Sequence, residues 1–550
     1  MSSAPSPSPR VRRLPLAGAL RLGRPSDIWF KPALSSVASI APPNLTLLAL
    51  GRLDLAMYTM AGSLCALYAH NRPYAARARA LAWVVLGMLG GLAVALIAAS
   101  LTTNAVVLVT VGALLAAVQK AVCDVTRIGP PGHVVLAFIS SASLFAPQTL
   151  SQVPGHLALG AAAGAWAWIV GMAPGLVRPH GPERRATAHA LNAAAAYAET
   201  LGSGDAAART RAAAAAAVHG AWQSLLSTGA RSAPRRALER LVVRAEVALA
   251  APADTDAERL RDWARALRGT GPVPYPDDLG DAADELLGVE AELAVGQRTL
   301  LERLGPLGPI VLRTALGCAL AGYVSLALGV GRPYWALVTA ASLYQANVTL
   351  TWSRGVQRVV GNLVGVLVFA AIAPLAHLSQ VALVLFCLAF NFGAEALIGR
   401  NYWLGSICVT PMALLITEFA RSQQPGELMT DRVVDTLVGA LVGFVAAIAV
   451  TNRRAGDRIE HALRATERAR DHAVTILAEE RPEAGDLESA RRGLAAAVVE
   501  LRATADAAAG EWWQRALPEE RVMRAEQAGH RTLAATVRRQ GLHSLEGAQA

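Results

Sequence analysis

Apolar side chains along this chain gather into long runs separated by charged stretches, and the runs fall into two groups. A helix needs roughly 17–25 predominantly apolar residues to cross the hydrocarbon of a bilayer. Residues 32–50, 54–70, 80–100, 103–122, 132–150 and 156–176 supply six such candidates. Residues 308–330, 333–350, 356–375, 379–398, 402–420 and 432–451 supply six more. The pattern predicts an all-α, polytopic transmembrane protein with two six-helix halves. Pro42 and Pro43 interrupt the first run, so its helix is expected to kink, with neighbouring helices satisfying the freed carbonyls.

Composition sharpens the division. The 550 residues are 53% apolar and only 17% charged, whereas soluble domains average roughly 25% charged residues. Mean hydropathy is +0.36. The charges crowd into 1–31, 177–307 and 452–550. Five segments follow: a disordered cytoplasmic tail (1–31), a first transmembrane half (32–176), a cytoplasmic helical domain (177–307), a second transmembrane half (308–451) and a C-terminal cytoplasmic helical domain (452–550). The opening MSSAPSPSPRVRRLPLAGALRLGRPSD has neither the apolar centre nor the cleavage site of a signal peptide.

Orientation is read from basic residues in the short loops. With the N-terminus inside, inner loops hold Arg72, Arg77, Arg79, Lys120, Arg127, Arg354, Arg358 and Arg400, and outer loops hold only Arg52, Arg332, Arg421 and Arg432. Both termini and the central segment are then cytoplasmic, in a bacterial inner membrane. The same flanking arginines account for the net charge of +10. No aromatic-studded basic stripe or zinc-finger spacing accompanies them, so nucleic acid is not an expected partner.

The two halves also resemble each other. GRLDLAMYTMA from Gly51 aligns without gaps to GRPYWALVTAA from Gly331, with Gly, Arg, Ala, Thr and Ala coinciding. Each copy continues to an arginine-bearing inner loop and a glycine-studded helix (Gly87, Gly90 and Gly91; Gly361 and Gly365). Halves that both start inside would be parallel repeats about an axis along the membrane normal, between which transporters often place their path. In the charged segments, Asp254–Asp256 and Gly269 read as the start and stop of a helix, and Leu487, Leu494 and Leu501 recur at the spacing of a packed helical hairpin.

Several chemistries are excluded. Neither Lys31 nor Lys120 follows a glycine, so there is no phosphate-binding Walker loop. HExxH, GxSxG and metal-spaced Cys/His clusters are missing from the sequence. No enzyme, cofactor or metal is expected. Cys65, Cys123, Cys318, Cys387 and Cys408 read as small packing residues, and His70, His133, His156 and His377 as solvated or capping groups at span ends.

Charges within spans carry the functional reading, because lipid disfavours them unless they face protein or water. Arg313 lies early in the seventh span, where it would either snorkel to the interface or face protein; Glu395 lies near the inner end of the tenth. Arg354 and Arg358 share one helical face. Gly361 and Gly365 have the small-xxx-small spacing of closely packed membrane helices.

GRPYWALVTAASL, TWSRGVQRVVGNLVG, TPMALLITEFA and DRVVDTLVGALVG resemble the membrane signature of the fusaric acid resistance protein-like (FUSC) family. The resemblance covers about 305–452 and is weaker in the first half, where Asp54-Leu55 replaces Tyr-Trp. Its pattern falls here on Tyr334-Trp335, on Arg354, Arg358 and Gly361, and on Arg432, Asp435, Thr436 and Gly439. The resemblance implies a secondary transporter, coupled to protons, that exports small and often aromatic organic acids. Arg354, Arg358, Arg432, Tyr334 and Trp335 are then the expected substrate contacts, Glu395 and Asp435 the coupling residues, and Gly361, Gly365 and Gly439 packing residues. Counted along the helices, Arg432 and Tyr334 lie at the outer end and Arg354 and Arg358 at the inner end, as two mouths of one path. A passive anion channel and a membrane-anchored scaffold binding partners through its cytoplasmic helices are the alternatives. The expected partners are the bilayer and a small organic anion; assembly into a homo-oligomer stays open.

Overall fold

The structure is a computed structural model that describes residues 18–23, 29–200, 205–227, 232–250, 252–274, 307–345, 347–419, 424–450, 455–480, 483–509 and 518–547. Most of the tail expected over 1–31, and residues 275–306 of the central segment, lie outside the described residues. Every regular element among the described residues is helical.

The first membrane half runs α1 (Phe30–Ala49), α2 (Ala56–Ser63, between 3₁₀ turns Leu53–Leu55 and Leu64–Leu67), α3 (Tyr74–Leu101), α4 (Ala105–Thr126), α5 (Val134–Leu144) and α6 (Val153–Met172). The second runs α12 (Gly308–Ala327), α13 (Tyr334–Leu343), α14 (Val348–Ala376), α15 (Gln380–Ile398), α16 (Tyr402–Glu418) and α17 (Pro425–Ala449). Between them lie α7 (Pro174–Val177), α8 (Gly181–Glu199), α9 (Asp205–Leu226), α10 (Ala233–Ala250) and α11 (Ala257–Arg268), and after them α18 (Ala455–Leu477), α19 (Ala484–Ala509) and α20 (Glu519–Gly547). α1 forms one helix through Pro42 and Pro43.

All twelve apolar runs become helices, but not twelve full spans. Seven helices among the described residues are long and apolar enough to cross a membrane; Leu53–Leu67, Val134–Leu144, Tyr334–Leu343 and Tyr402–Glu418 are shorter. At 1.5 Å per residue, the ten residues of α13 cover about 15 Å of a hydrocarbon core about 30 Å thick. The expected span 333–350 therefore breaks near Tyr344. The apolar pattern gave no sign of this, because the break is itself enclosed by protein and keeps a buried composition: Tyr344 and Asn347 are both buried.

Small residues make that enclosure feasible. All ten residues of α13 are buried. α17 packs along α13, where a Cβ on Gly439 would lie 2.4 Å from the Ala336 carbonyl oxygen. α6 packs along α2 in the same manner: a Cβ on Gly62 would lie 2.2 Å from the Gly160 carbonyl oxygen. On α14, Gly361 and Gly365 meet α16, with built Cβ positions 2.5 Å from Ser406 Cβ and 2.7 Å from Thr410 Cβ. The expected packing glycines thus lie in helix contacts, whereas Gly87 and Gly90 of α3 face open space.

The halves exchange partners. α1 packs on α15 of the other half, where Ser36 donates to the Asn391 side-chain oxygen. α12 packs on α4, where Thr110 and the Tyr323 hydroxyl are 2.7 Å apart.

The charged segments fold as helical modules. Asp256 caps α11 by accepting from the Arg259 backbone N–H at 3.0 Å, and Gly269 ends that helix, as the sequence predicts. Leu487, Leu494 and Leu501 are buried against α18 and α20. The modules interlock: Arg491 pairs with Glu246, Arg492 stacks 3.9 Å above the Trp222 ring, and Trp222 Nε1 donates to Glu246 at 2.9 Å. Both therefore sit at one end of the bundle, which requires an even number of passes between them. The described N-terminal residues reach the α15–α16 connection, where Gly23 N–H donates to the Arg400 carbonyl at 2.8 Å and Asn401 Nδ2 to the Ala19 carbonyl at 3.1 Å. In the modules, burial and then the nearby Arg127 cation hold His219 below the ordinary imidazole range.

The glycine contacts generate a contrast between two substitutions. Gly361→Leu is expected to cost about 1–3 kcal/mol or prevent folding, as overpacking does, while Gly90→Leu on the open face of α3 leaves folded yield near wild type. Size-exclusion profiles and thermal unfolding of the purified proteins check this. Equal losses in both would remove the special role of the α14–α16 contact.

Candidate functional site

α2 and α13 are short, buried and similarly placed in their halves, so the bundle must satisfy polar backbone ends that a full span would place at the interface. Ser39 of α1 donates to the Ser63 carbonyl at the end of α2, at 2.9 Å. His133 Nε2 lies 3.0 Å from the Ala341 carbonyl near the end of α13. Asn347 restarts the chain by capping α14, accepting from the Leu350 backbone N–H at 2.8 Å. Paired short or broken segments in corresponding positions of two halves are the pattern that marks a binding site in transporters.

A cavity of about 2190 Å³ opens beside both short helices, lined by Tyr58, Met60 and Leu64 on one side and Tyr334 and Val338 on the other. It extends from Arg72, His133, Arg313 and Arg354 near the module end to Arg52, His156, Arg332 and Asp431 near the far end. Ten arginine and lysine side chains line it against five carboxylates, so its field is positive. Three of those carboxylates are already engaged: Asp54 with Arg52, Asp124 with Lys120 and Asp431 with Arg332.

Arg354, Arg358 and Arg432 make no ion pair among the described residues; aromatic rings and hydroxyls surround them instead. Arg354 lies 3.8 Å above the Tyr402 ring, and Arg358 Nη1 donates to the Tyr402 hydroxyl at 3.0 Å. Arg432 and Arg332 both lie over the Trp335 ring, 5.1 and 5.5 Å from its centroid. A desolvated cation over an aromatic face gains about 2 kcal/mol. That is comparable with the roughly 2.5–3.5 kcal/mol that an arginine at mid-membrane costs. The arrangement offsets burial without neutralising the charge. Arg432 is 1% exposed, and its Nε and Nη1 have no hydrogen-bond partner.

Arg354 and Arg358 gather at Tyr402, while Arg432 rests on Trp335 near the start of α13. One turn beyond Arg358, Asn362 donates to Thr436 at 2.9 Å and accepts from Thr410 at 2.6 Å, tying α14, α16 and α17 together. Arg354, Arg358, Arg432, Tyr334 and Glu395 all line the cavity, whereas Trp335 and Asp435 stand behind its wall. Asp435 is fully buried; one oxygen accepts from Ser325 at 2.5 Å and the other has no partner.

Arg313 does not snorkel: it is 2% exposed and gives two bonds to the Val450 carbonyl at the end of α17, at 2.8 and 3.1 Å. Two of the span-end histidines occupy helix caps, His133 at the start of α5 and His377 at the end of α14, and they are engaged as well. His133 is buried, His156 stacks 3.8 Å from the Tyr58 ring, and His377 pairs with Glu418 at 2.9 Å. Tyr402, the hinge of the arginine cluster, was missed, although Tyr402-Trp403 repeats the helix-opening pair Tyr334-Trp335.

Cysteine labelling tests this wall, in a protein lacking its native cysteines. Glu395→Cys and Met412→Cys, on the cavity lining, are expected to react with a small water-soluble thiol reagent much faster than Ala340→Cys inside the α13 packing. Similar rates at all three would show that water does not reach this space.

No solved structure matches the chain. Among curated proteins it is similar to the uncharacterized membrane protein YvaC of Bacillus subtilis (strain 168), with 32% identity over 143 residues. That alignment covers 26% of this chain and 22% of the length of the Bacillus protein. Residues 319–446, which carry α13, the arginine cluster and Asp435, match the family described as fusaric acid resistance protein-like.

Proposed function

We propose that this membrane protein is a secondary transporter that exports small organic acids, aromatic carboxylates among them, and draws on the proton gradient. The observation that carries the reading is the group Arg354, Arg358 and Arg432 on one cavity wall, with aromatic neighbours and no carboxylate partner among the described residues. Guanidinium offers a carboxylate two parallel donors, and Tyr334, stacked on Phe145 at 5.8 Å, offers a ring to an aromatic substrate. Glu395 on the lining and Asp435 behind it are the acids through which protons would couple to transport. The matching short helices α2 and α13, and the reciprocal contacts of α1 with α15 and α12 with α4, support two parallel repeats moving about the cavity. The excess of arginine in the loops at the module end supports a cytoplasmic location for both modules, in a bacterial inner membrane.

The test uses everted membrane vesicles, a radiolabelled aromatic carboxylate and matched protein abundance. Arg354→Lys and Arg358→Lys keep the charge but lose the planar fork. Loss of a charge-assisted hydrogen bond costs about 1.5–3 kcal/mol, so uptake affinity is expected to fall by roughly an order of magnitude or more. A protonophore is expected to abolish accumulation. Wild-type transport by both variants would assign the arginines to orientation and structure. Flux unaffected by the protonophore would favour a passive channel.

A further inference from the structure

At the module end, beside the cavity that Trp29, Pro32 and His70 line, the ends of several helices of the first half converge. Trp166 Nε1 donates to the Ala38 carbonyl of α1 and Trp168 Nε1 to the Ala78 carbonyl of α3, each at 3.0 Å, so α6 is held between α1 and α3. Their end residues bring four cations together: Lys31 from α1, Arg77 from α3, Arg178 after α7 and Arg185 from α8. Arg77 and Arg185 both reach His70, and the Arg178 carbonyl accepts from the Gly181 N–H at the start of α8 at 3.0 Å, with Lys31 within electrostatic range of all three. Gly171 of α6 packs against α3, where a Cβ would lie 2.7 Å from Leu81 Cδ1 and in ordinary contact with the Arg77 guanidinium at 3.6 Å. Arg77 is 3% exposed; Nη2 meets His70 Nδ1 at 3.2 Å and Nε has no partner. Arg185 bonds the Gly181 and His70 carbonyls, each at 3.3 Å. Glu183 is the carboxylate at hand, and it is buried and faces His180 at 3.8 Å.

Cations crowded this closely, one of them buried, repel each other unless an anion sits among them. Positive-inside bias explains why basic residues lie on this face, but it does not call for their convergence or for the burial of Arg77. The surroundings indicate what kind of anion fits. Leu176 and Val177 are 90% and 81% exposed beside Arg178. Apolar side chains so bare, next to a charged cluster at a membrane boundary, match acyl chains below a headgroup. None of the four cations lines the large cavity, whose wall at this end is formed by Trp29, Pro32 and His70.

We infer that Lys31, Arg77, Arg178 and Arg185 form a binding site for the phosphate of an anionic phospholipid in the leaflet on the module side. The lipid phosphate would bridge α1, α3 and α8, with its chains against Leu176 and Val177. This inference does not depend on the transport reading or on which compartment that leaflet faces.

The experiment uses purified full-length protein in detergent micelles, titrated with phosphatidylglycerol, phosphatidylcholine or inorganic phosphate, with lipid binding read by native mass spectrometry. Lys31→Gln/Arg178→Gln is the test variant; Arg77 stays intact because its burial makes it a folding position. Two interfacial charges are worth about thirtyfold in affinity, so phosphatidylglycerol is expected to bind the variant about thirtyfold more weakly than the wild type. Phosphatidylcholine and inorganic phosphate are expected to bind neither. Arg79→Gln/Arg400→Gln removes two exposed charges elsewhere on this face and is expected to bind like the wild type. Equal phosphatidylglycerol affinity in the wild type and the test variant overturns the site. An equal loss in the control pair reduces it to diffuse surface potential, and binding of inorganic phosphate or phosphatidylcholine overturns the lipid assignment.

Discussion

A ten-residue helix cannot cross a bilayer, and its polar ends cannot be left in lipid. Much of the architecture of the second half follows from housing α13. Long helices must surround it, which places small residues along its neighbours: Gly439 against Ala336, and Gly443 against Leu343 and Ala340. Its last carbonyls must find donors, and His133 arrives from the first half to supply one. The chain must then restart, and Asn347 caps the next helix. The same constraint acts on α2, where Gly160 and Gly164 provide the close approach and Ser39 the donor.

The short helices also decide where charge can sit. Because α13 stops at Leu343, the space beyond its end is open to side chains from α14 and α16, and Arg354, Arg358 and Tyr402 occupy it. Arg432 enters from α17 and rests on Trp335 at the other end of α13. Polar tethers hold these helices in register: Asn362 joins α14 to α16 and α17, and Ser325 joins α12 to α17 through Asp435. Replacing either tether would loosen the cluster without removing a cation, so packing and electrostatics are coupled here through a few hydroxyl and amide groups.

How much of this was legible in the sequence depended on range. Hydropathy located all twelve apolar helices, and capping chemistry located α11 from Asp256 to Gly269, because both signals are local. The leucines at 487, 494 and 501 announced their own buried face. Two things were not legible. The end of α13 was hidden because Tyr344 and Asn347 are enclosed by protein and look like a continuing span. The tie from Asn362 to Thr436 and Thr410 was hidden because those partners lie 74 and 48 residues away along the chain. Tyr402 illustrates the same limit: it opens a helix with Trp403 as Tyr334 does with Trp335, yet only the fold brings it under two arginines.

The choice of aromatic rather than acidic neighbours for the arginines has a further consequence. A carboxylate partner would neutralise each guanidinium and occupy its donor edge, as Asp431 does for Arg332 at 2.7 Å. An aromatic face instead engages the flat surface of the guanidinium and leaves N–H groups free, as at Arg432 Nε and Nη1. The cost of burying such a charge is then offset only in part, and an anion that enters the cavity gains what the ring does not supply. On the proposed reading this balance favours release as well as capture. A partner held by two carboxylate-free arginines among rings binds less tightly than one in a closed ion pair, and a transported acid must leave as readily as it arrives.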